Sequence, residues 1–422
     1  MGRSRGAVPF RPRFYYGWII VGACNLVAFI TWGVGVFNQG VFLGYLVDTY
    51  GWSRAALSVG PMFFHLWAGV AGIVVGRLLD RRGPRGVLVV GALAMAAGVL
   101  GFGLVRHFWH TYLAFWLLST GFACLHTVTL GKIVARWFVH QRARAMAAAT
   151  FGASLGGSLL VPLNAALLQR WGGPAGGWVL AMITIGLVVP LALWVIKDGP
   201  EELGLPGDGD PQPLHAPAMA TRASDAHPWT VAEAMRTSAF WTLAISFLLG
   251  MIAQSGFLVH QVMFLQATFD LLAAATVVTV TTLTGTLGRL SFTLFGNLWP
   301  PRQVTTGIFL LQAAAFGLLA TTTAAWGLVL GSALFGFTMG IVVILQPLTT
   351  AQCFGQQAFG RIYGPIYLGI RLGSALGPLL CGLLSAAVGS YQPVWLLVAG
   401  GLLLAAFCSR WAVPPQLRAV VR

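Results

Sequence analysis

GRLLDRRGPR, Gly76 to Arg85, stands between two uninterrupted apolar runs, Ala55 to Leu79 and Gly86 to Val105. At 1.5 Å per residue, about twenty residues of helix cross the roughly 30 Å hydrocarbon core of a bilayer. The stretch between the runs packs Arg77, Arg81, Arg82 and Arg85 around one acid, Asp80, with Gly76 and Gly83 at fixed places. Two spanning helices joined by a short basic turn form a hairpin whose turn lies on the cytoplasmic side under the positive-inside rule. Helix is the only answer to runs of this length, because hydrocarbon offers no partner for open backbone groups.

Outward from that hairpin the same pattern recurs along the chain. Of 422 residues 57% are hydrophobic and 8% charged, with a mean hydropathy of +0.80, which excludes a water-soluble domain of ordinary composition. About twelve runs of spanning length occur. The first, Tyr16 to Phe37, follows the basic start MGRSRGAVPFRPRF and is too long for a signal-peptide core, so it is expected to be a spanning helix. The fourth is Tyr112 to Ala135, and the sixth ends near Ile196. From Asp198 to Glu233 the chain turns polar and rich in proline and glycine, and holds seven of the ten acidic residues. Six further runs follow. The expected architecture is an all-α membrane protein of twelve transmembrane helices in two six-helix bundles related by pseudo-symmetry. Its units are 1–197, a cytoplasmic linker over 198–232, and 233–422. Gly172 to Trp178 and Gly389 to Trp395 open the sixth and twelfth helices at the same interval, which fits a tandem duplication.

A net charge of +15 raises the question of nucleic acid, but the basic residues sit at helix ends and form no compact basic domain. Nineteen of 25 fall in the segments on the side of the termini, and Arg54, Arg106 and Arg170 fall on the other side. Both termini are therefore expected in the cytoplasm, with the plasma (inner) membrane as the location. Cys24, Cys124, Cys353, Cys381 and Cys408 are scattered without metal-ligand spacing and serve as small core residues; no metal or cofactor is implied.

Three cations remain inside apolar runs: Lys132, Arg289 and Arg371. Lys132 lies one turn before Arg136 at a helix end and is expected to snorkel. A lone cation in the bilayer costs about 2.5–3.5 kcal/mol on insertion scales, so Arg289 and Arg371 must face protein, water or an anion. Tyr367, Arg371 and Ser374 share one helix face, as do Thr282, Thr286, Arg289 and Thr293, and the two polar strips are expected to line one wet cavity. Gly369, Gly373 and Gly377 form a small-residue stripe for close packing on another face. His65 and His126 near mid-depth are candidate proton carriers, each weighed against a plain packing role, as is His260 near the far end. Asp48 and Asp270 are expected to cap or be solvated. Phe335, Phe337 and Met339 suit a core as well as a pocket wall.

The Gly76 to Arg85 stretch resembles the signature of the major facilitator superfamily. Kinship there implies that Asp80 caps a neighbouring helix start, and that Arg81 and Arg85, with Gly76 and Gly83 setting the turn, latch the cytoplasmic gate. The equivalent stretch Gly296 to Arg302 keeps the glycine and the leucine but has Pro300 in place of the aspartate. Three further stretches look like the branch of monocarboxylate transporters and oxalate/formate exchangers: Tyr16-Gly17-Trp18 with Gly51 to Ala56, Pro200 to Gly204, and Arg236 to Trp241. That branch places a substrate-binding arginine in helix eight, matched by Arg289, and its exchangers add a cation in helix eleven, about where Arg371 stands. Monocarboxylate members pair the first arginine with an acid one turn earlier, where this chain has Gly285.

The expected function is secondary transport of a small mono- or dicarboxylate by alternating access, with protons or a counter-anion as coupling partner. Moving an anion against an inside-negative potential costs about 2.3 kcal/mol per 100 mV. The missing membrane acid tilts the coupling toward exchange, while proton symport through a histidine stays open. The alternatives are an exporter of hydrophobic compounds, a membrane-embedded enzyme for which no nucleophile and base pair declares itself, and a non-transporting sensor.

Overall fold

A computed structural model of the chain describes residues 15–138, 141–203, 229–355 and 359–413. Among these residues twelve helices are long and apolar enough to span a membrane, and no strand occurs. They are α1 (Gly17–Tyr50), α2 (Arg54–Leu79), α3 (Pro84–Gly103), α4 (Phe108–Trp137), α5 (Arg144–Trp171), α6 (Gly173–Val195), α7 (Ser238–Leu265), α8 (Leu271–Phe295), α9 (Pro301–Thr321), α10 (Ala325–Phe354), α11 (Arg361–Val388) and α12 (Gln392–Trp411). The protein is an all-α integral membrane protein. Most of the expected linker, residues 204–228, lies outside the described residues.

Helix ends follow local chemistry. Gly51 closes α1 in the left-handed region, at φ 66°, where a side chain would be strained. Thr237 caps α7 by accepting from the Phe240 N–H, and Asp270 caps α8 by accepting from the Ala273 N–H at 2.7 Å.

Two spans depart from the sequence expectation. The first helix does not stop at Phe37: a π-helical turn over Gly33–Phe37 lets it run on to Tyr50. Asn38 and Gln39 look like a polar end, yet both are buried, their amides donating to the Gly33 and Gly35 carbonyls at 2.9 and 2.6 Å. Asp48 therefore lies inside α1, near its far end. The fourth span is two helices, Phe108–Leu125 and Thr127–Trp137, with His126 extended between them. Hydroxyls cover carbonyls at this break: Thr129 Oγ1 donates to Cys124 O at 2.6 Å, and Thr31 Oγ1 to Leu125 O at 3.3 Å. Broken backbone at membrane depth survives where protein groups satisfy it in this way.

The first six helices meet the last six through α2 against α11, α5 against α8, and the end of α1 against α7. Hydrogen bonds between the two sets concentrate from mid-depth toward the end remote from the termini. Ser158 Oγ meets Thr282 Oγ1 at 2.7 Å, Thr279 Oγ1 donates to Ser158 O at 2.7 Å, and Gln266 Nε2 donates to Asp48 at 2.7 Å. Toward the terminal end these hydrogen bonds cease, and a Cβ at Gly69, Gly72 or Gly76 of α2, or at Gly364 or Gly369 of α11, would meet no atom within 4 Å. Of the glycine stripe, Gly373 and Gly377 do pack on α7, against Leu248 and Ile252 backbone, whereas Gly369 does not.

Candidate functional site

Arg371 lies ten residues into α11 from Arg361, about 15 Å along the helix. One turn earlier stands Tyr367, whose hydroxyl accepts from Arg371 Nε at 2.8 Å and from one terminal nitrogen, while the guanidinium carbon sits 4.8 Å over its ring. Tyr367 packs in turn on Tyr363, with ring centres 5.6 Å apart, and remains 37% exposed. Tyr367 thus fixes one edge of a guanidinium that has several further N–H donors to offer.

From the first six helices, His65 lies seven residues inward of Ser58 on α2, as Arg371 lies seven residues inward of Pro378 on α11. His260 joins Ser58 to the Pro378 carbonyl, so the two stand at one depth on packed helices, and Phe64 next to His65 meets Phe122 at 5.0 Å, which brings in His126 at the break in α4. The His65 ring sits edge-on to Phe64 at 5.2 Å, and its Nδ1 is buried without a hydrogen-bond partner. His126 is held between Trp32 at 5.4 Å and Phe122 at 4.5 Å. The α4 break and the α1 π-turn adjoin, so irregular backbone sets His126 at mid-depth against Trp32, the last residue before the π-turn. The result is a cationic and aromatic cluster that both sets of helices supply. Within the twelve spans the only acid is Asp48, close to the far end of α1.

The other expected site residues lie apart. Ser374 is 2% exposed and donates to its own helix at Ile370 O, so it faces protein rather than the opening. Thr286 and Thr293 likewise donate to their own helix, at Thr282 O and Arg289 O. Thr282 joins α8 to α5 instead of lining the opening. Arg289 is half-buried six residues from the end of α8, about 9 Å from it and shallower than Arg371. No described residue bonds its guanidinium. Gly285 faces α10, where a Cβ would stand 3.1 Å from Gly336 O and 3.2 Å from Met339 Cε, a tight fit for any side chain. Phe335 and Met339 are core, and Phe337 is half-buried.

At the terminal end, Gly83 sits at φ 74° between α2 and α3, with Pro84 opening α3. Gly76 is open and Arg81 exposed, and the Asp80 side chain lies outside what is described. Arg85 bonds to the chain that follows α6: Nε donates to Ile196 O at 2.8 Å, and a terminal nitrogen meets Glu202 at 2.5 Å. Slight burial pushes the Glu202 carboxyl up, but the Asp198 N–H bond and the Arg85 and Lys197 charges outweigh it and hold the group below the usual carboxylate range. The Pro200 to Leu203 turn is thereby tied to the α2–α3 turn. Sequence reading missed that tie, the α4 break with its covering threonines, and the Ser58–His260 contact at the far end. A polar Asn38-Gln39 pair inside an apolar run was the one visible signal of irregular backbone.

The description Major Facilitator Superfamily belongs to the family model that matches residues 21–366. MFS-type transporter 1 of Ophiocordyceps sp. is 30% identical over 192 residues, 43% of this chain and 41% of that protein, so the match spans less than half of that relative. The membrane sensor protein UhpC of Salmonella typhimurium is 24% identical over 328 residues, 74% of this chain and 73% of that one. Among solved structures, a bacterial homolog to the human lysosomal transporter Spinster, in an inward-facing and occupied conformation, shares the fold with a TM-score of 0.72 at 14% identity, covering 96% of this chain and 99% of that one. With twelve spans, the glycine-bounded basic turn and a family match over most of its length, the chain belongs to the Major Facilitator Superfamily.

Proposed function

We propose that the chain is a secondary active transporter of a small organic anion, a mono- or dicarboxylate, working by alternating access as anion exchange or proton symport. The carrying observation is Arg371, a mid-depth cation tethered only by a neutral phenol in helices that contain no acid near it. A carboxylate about 4 Å away at an effective dielectric of about 20 gains on the order of 4 kcal/mol before desolvation, comparable with the cost of placing the cation there. The stretches that resemble monocarboxylate transporters and oxalate/formate exchangers support the same substrate class. Residues 1–197 and 233–422 act as the units that rock about the cluster, with 198–232 as the cytoplasmic link between them, in the plasma (inner) membrane. Arg289, nearer the terminal end, serves as a second cation on the way in. A relative called a membrane sensor protein, matched over 74% of this chain, favours a second reading in which the ligand binds without net flux.

Proteoliposomes given labelled formate, lactate or oxalate test the proposal. Uptake of one of them, reduced at least tenfold in Arg371→Gln, is the expected result. No uptake of any, or a variant as fast as wild type, overturns transport of this class; binding without flux selects the sensor reading.

A further inference from the structure

We propose that His65 is the proton site of this transporter, and that a carboxylate and a proton occupy the Arg371, His65 and His126 cluster together. The inference rests on the carboxylate reading above and adds its coupling ion.

Histidine is the one side chain whose ordinary range lies near neutrality, and the spans offer no acid at this depth. Of the two histidines in the cluster, His126 is committed to its place: it sits at the helix break, clasped by Trp32 and Phe122. His65 is not. Neither of its ring nitrogens has a hydrogen-bond partner among the described residues, Nδ1 is buried, and the residue as a whole is half-buried, so the imidazole is left unsatisfied. Among the described residues the charged or titratable groups at its depth are Arg371 on α11, the helix packed against α2, and His126 on α4, reached through the Phe64–Phe122 contact.

Charge decides the order of events. With the site empty, a proton on His65 would stand beside the Arg371 guanidinium and be repelled. A carboxylate held between them is attracted by both cations and removes that repulsion, so each ligand raises the affinity for the other, and by linkage to the same extent. The proton comes from water in the opening and resides on the imidazole as imidazolium; the carboxylate stays ionised, and both leave on the other side. One negative and one positive charge enter together, so the cluster carries the same net charge loaded and empty. A membrane potential then does no work on the difference between the two crossings, which removes the cost of moving a lone anion.

The test measures binding and protons separately on the purified full-length protein. Thermal stabilisation reports which of formate, lactate and oxalate binds; proton uptake on adding that anion is followed in weakly buffered solution. The expected result is about one proton taken up per anion bound, and an apparent Kd that rises about tenfold per pH unit in the alkaline range. His65→Gln and His65→Asn should bind the same anion more weakly, with no proton uptake and no pH dependence. Wild-type binding without proton uptake, or uptake that persists in a folded His65 variant, overturns the proton site while leaving the carboxylate reading intact. Failure of all three anions to bind overturns the carboxylate reading, and the proton site with it.

Discussion

His260 Nε2 lies 3.2 Å from Ser58 Oγ, joining α7 to α2 across the two sets of six helices. Ser58 gives its own proton to Arg54 O at 2.6 Å, so its oxygen accepts from the imidazole N–H, which also faces Pro378 O at 2.9 Å. Nδ1 then accepts from the Tyr391 hydroxyl at 2.9 Å, and Arg54 stacks over the Tyr391 ring at 5.4 Å. His260 is fully buried with both nitrogens engaged, at the end where the helices close. The packing role expected for it is thus a clasp. His260→Ala removes the hydrogen bonds that link Ser58 and Tyr391 through the imidazole, each worth about 0.5–1.5 kcal/mol. Amide hydrogen exchange over residues 54–64 and 377–388 should speed up at least tenfold in this variant; unchanged exchange would show that the clasp does not hold the far end shut.

Arg289 and Arg371 should separate in kinetics. Arg289 lies shallower, has no described partner and shows no interaction with the central cluster, so its charge acts on arrival more than on retention. Arg289→Gln is expected to raise the KM for uptake several-fold, with the wild-type salt dependence reduced, while Arg371→Gln lowers binding itself by tenfold or more. Equal effects on binding would place both guanidiniums on the bound anion, as the shared polar strips of the sequence suggest.

How much was legible in the sequence depends on whether backbone or composition sets a feature. Span count and the Gly76 to Arg85 turn follow from run length and charge placement, which composition carries directly. Convergence of Arg371 with Tyr367 follows from four-residue spacing on one helix. Ser374 satisfies the same spacing arithmetic yet is buried, because the neighbouring positions of α11 lie against α7. His126 owes its orientation to a break with no proline and no unusual periodicity to announce it. The apolar run Tyr16 to Phe37 understates the first helix because a π-turn satisfies Asn38 and Gln39 internally, which no count of apolar residues reveals.

The glycine stripe of α11 supplies a graded test of packing. Gly377 is wedged against Ser255 and Ile252 backbone, with no space for a methyl group, whereas Gly369 is open. Gly369→Ala should leave thermal stability unchanged or slightly higher, since alanine favours helix by up to about 1 kcal/mol. Gly377→Ala should lower stability through overpacking of about 1–3 kcal/mol. Melting of the detergent-solubilised variants checks both; equal melting points would mean that α7 and α11 are not pressed together at Gly377.

The Arg85–Glu202 pair predicts a pH-dependent tie at the terminal end. Because the folded state holds the Glu202 carboxyl below its ordinary range, its contribution is complete above that range and is lost as pH falls through the lowered value. The side chains are 33% and 37% exposed, so screening limits the effect to about 1 kcal/mol at most. Glu202→Gln should melt slightly below wild type at neutral pH, and the two curves should converge in acid. A gap that persists or widens below the carboxylate range would contradict the pairing.

The threonines at the α4 break carry the last prediction. Thr129 Oγ1 donates to Cys124 O at 2.6 Å, and Thr129 is wholly buried, so valine, which matches its shape, removes the hydrogen bond without opening a cavity. A buried carbonyl left without a partner costs about 1–3 kcal/mol, and water has no ready path to replace the hydroxyl. The more distant Thr31 hydroxyl, 3.3 Å from Leu125 O, also donates to Val27 O at 2.7 Å and should matter less. Thr129→Val should therefore destabilise the protein more than Thr31→Val. It should also change carboxylate binding through the position of His126, although Thr129 itself need not touch the anion. Thermal melting with parallel binding measurements checks the ordering, and a Thr129→Val protein that melts and binds as wild type would show that the break needs no hydroxyl to persist.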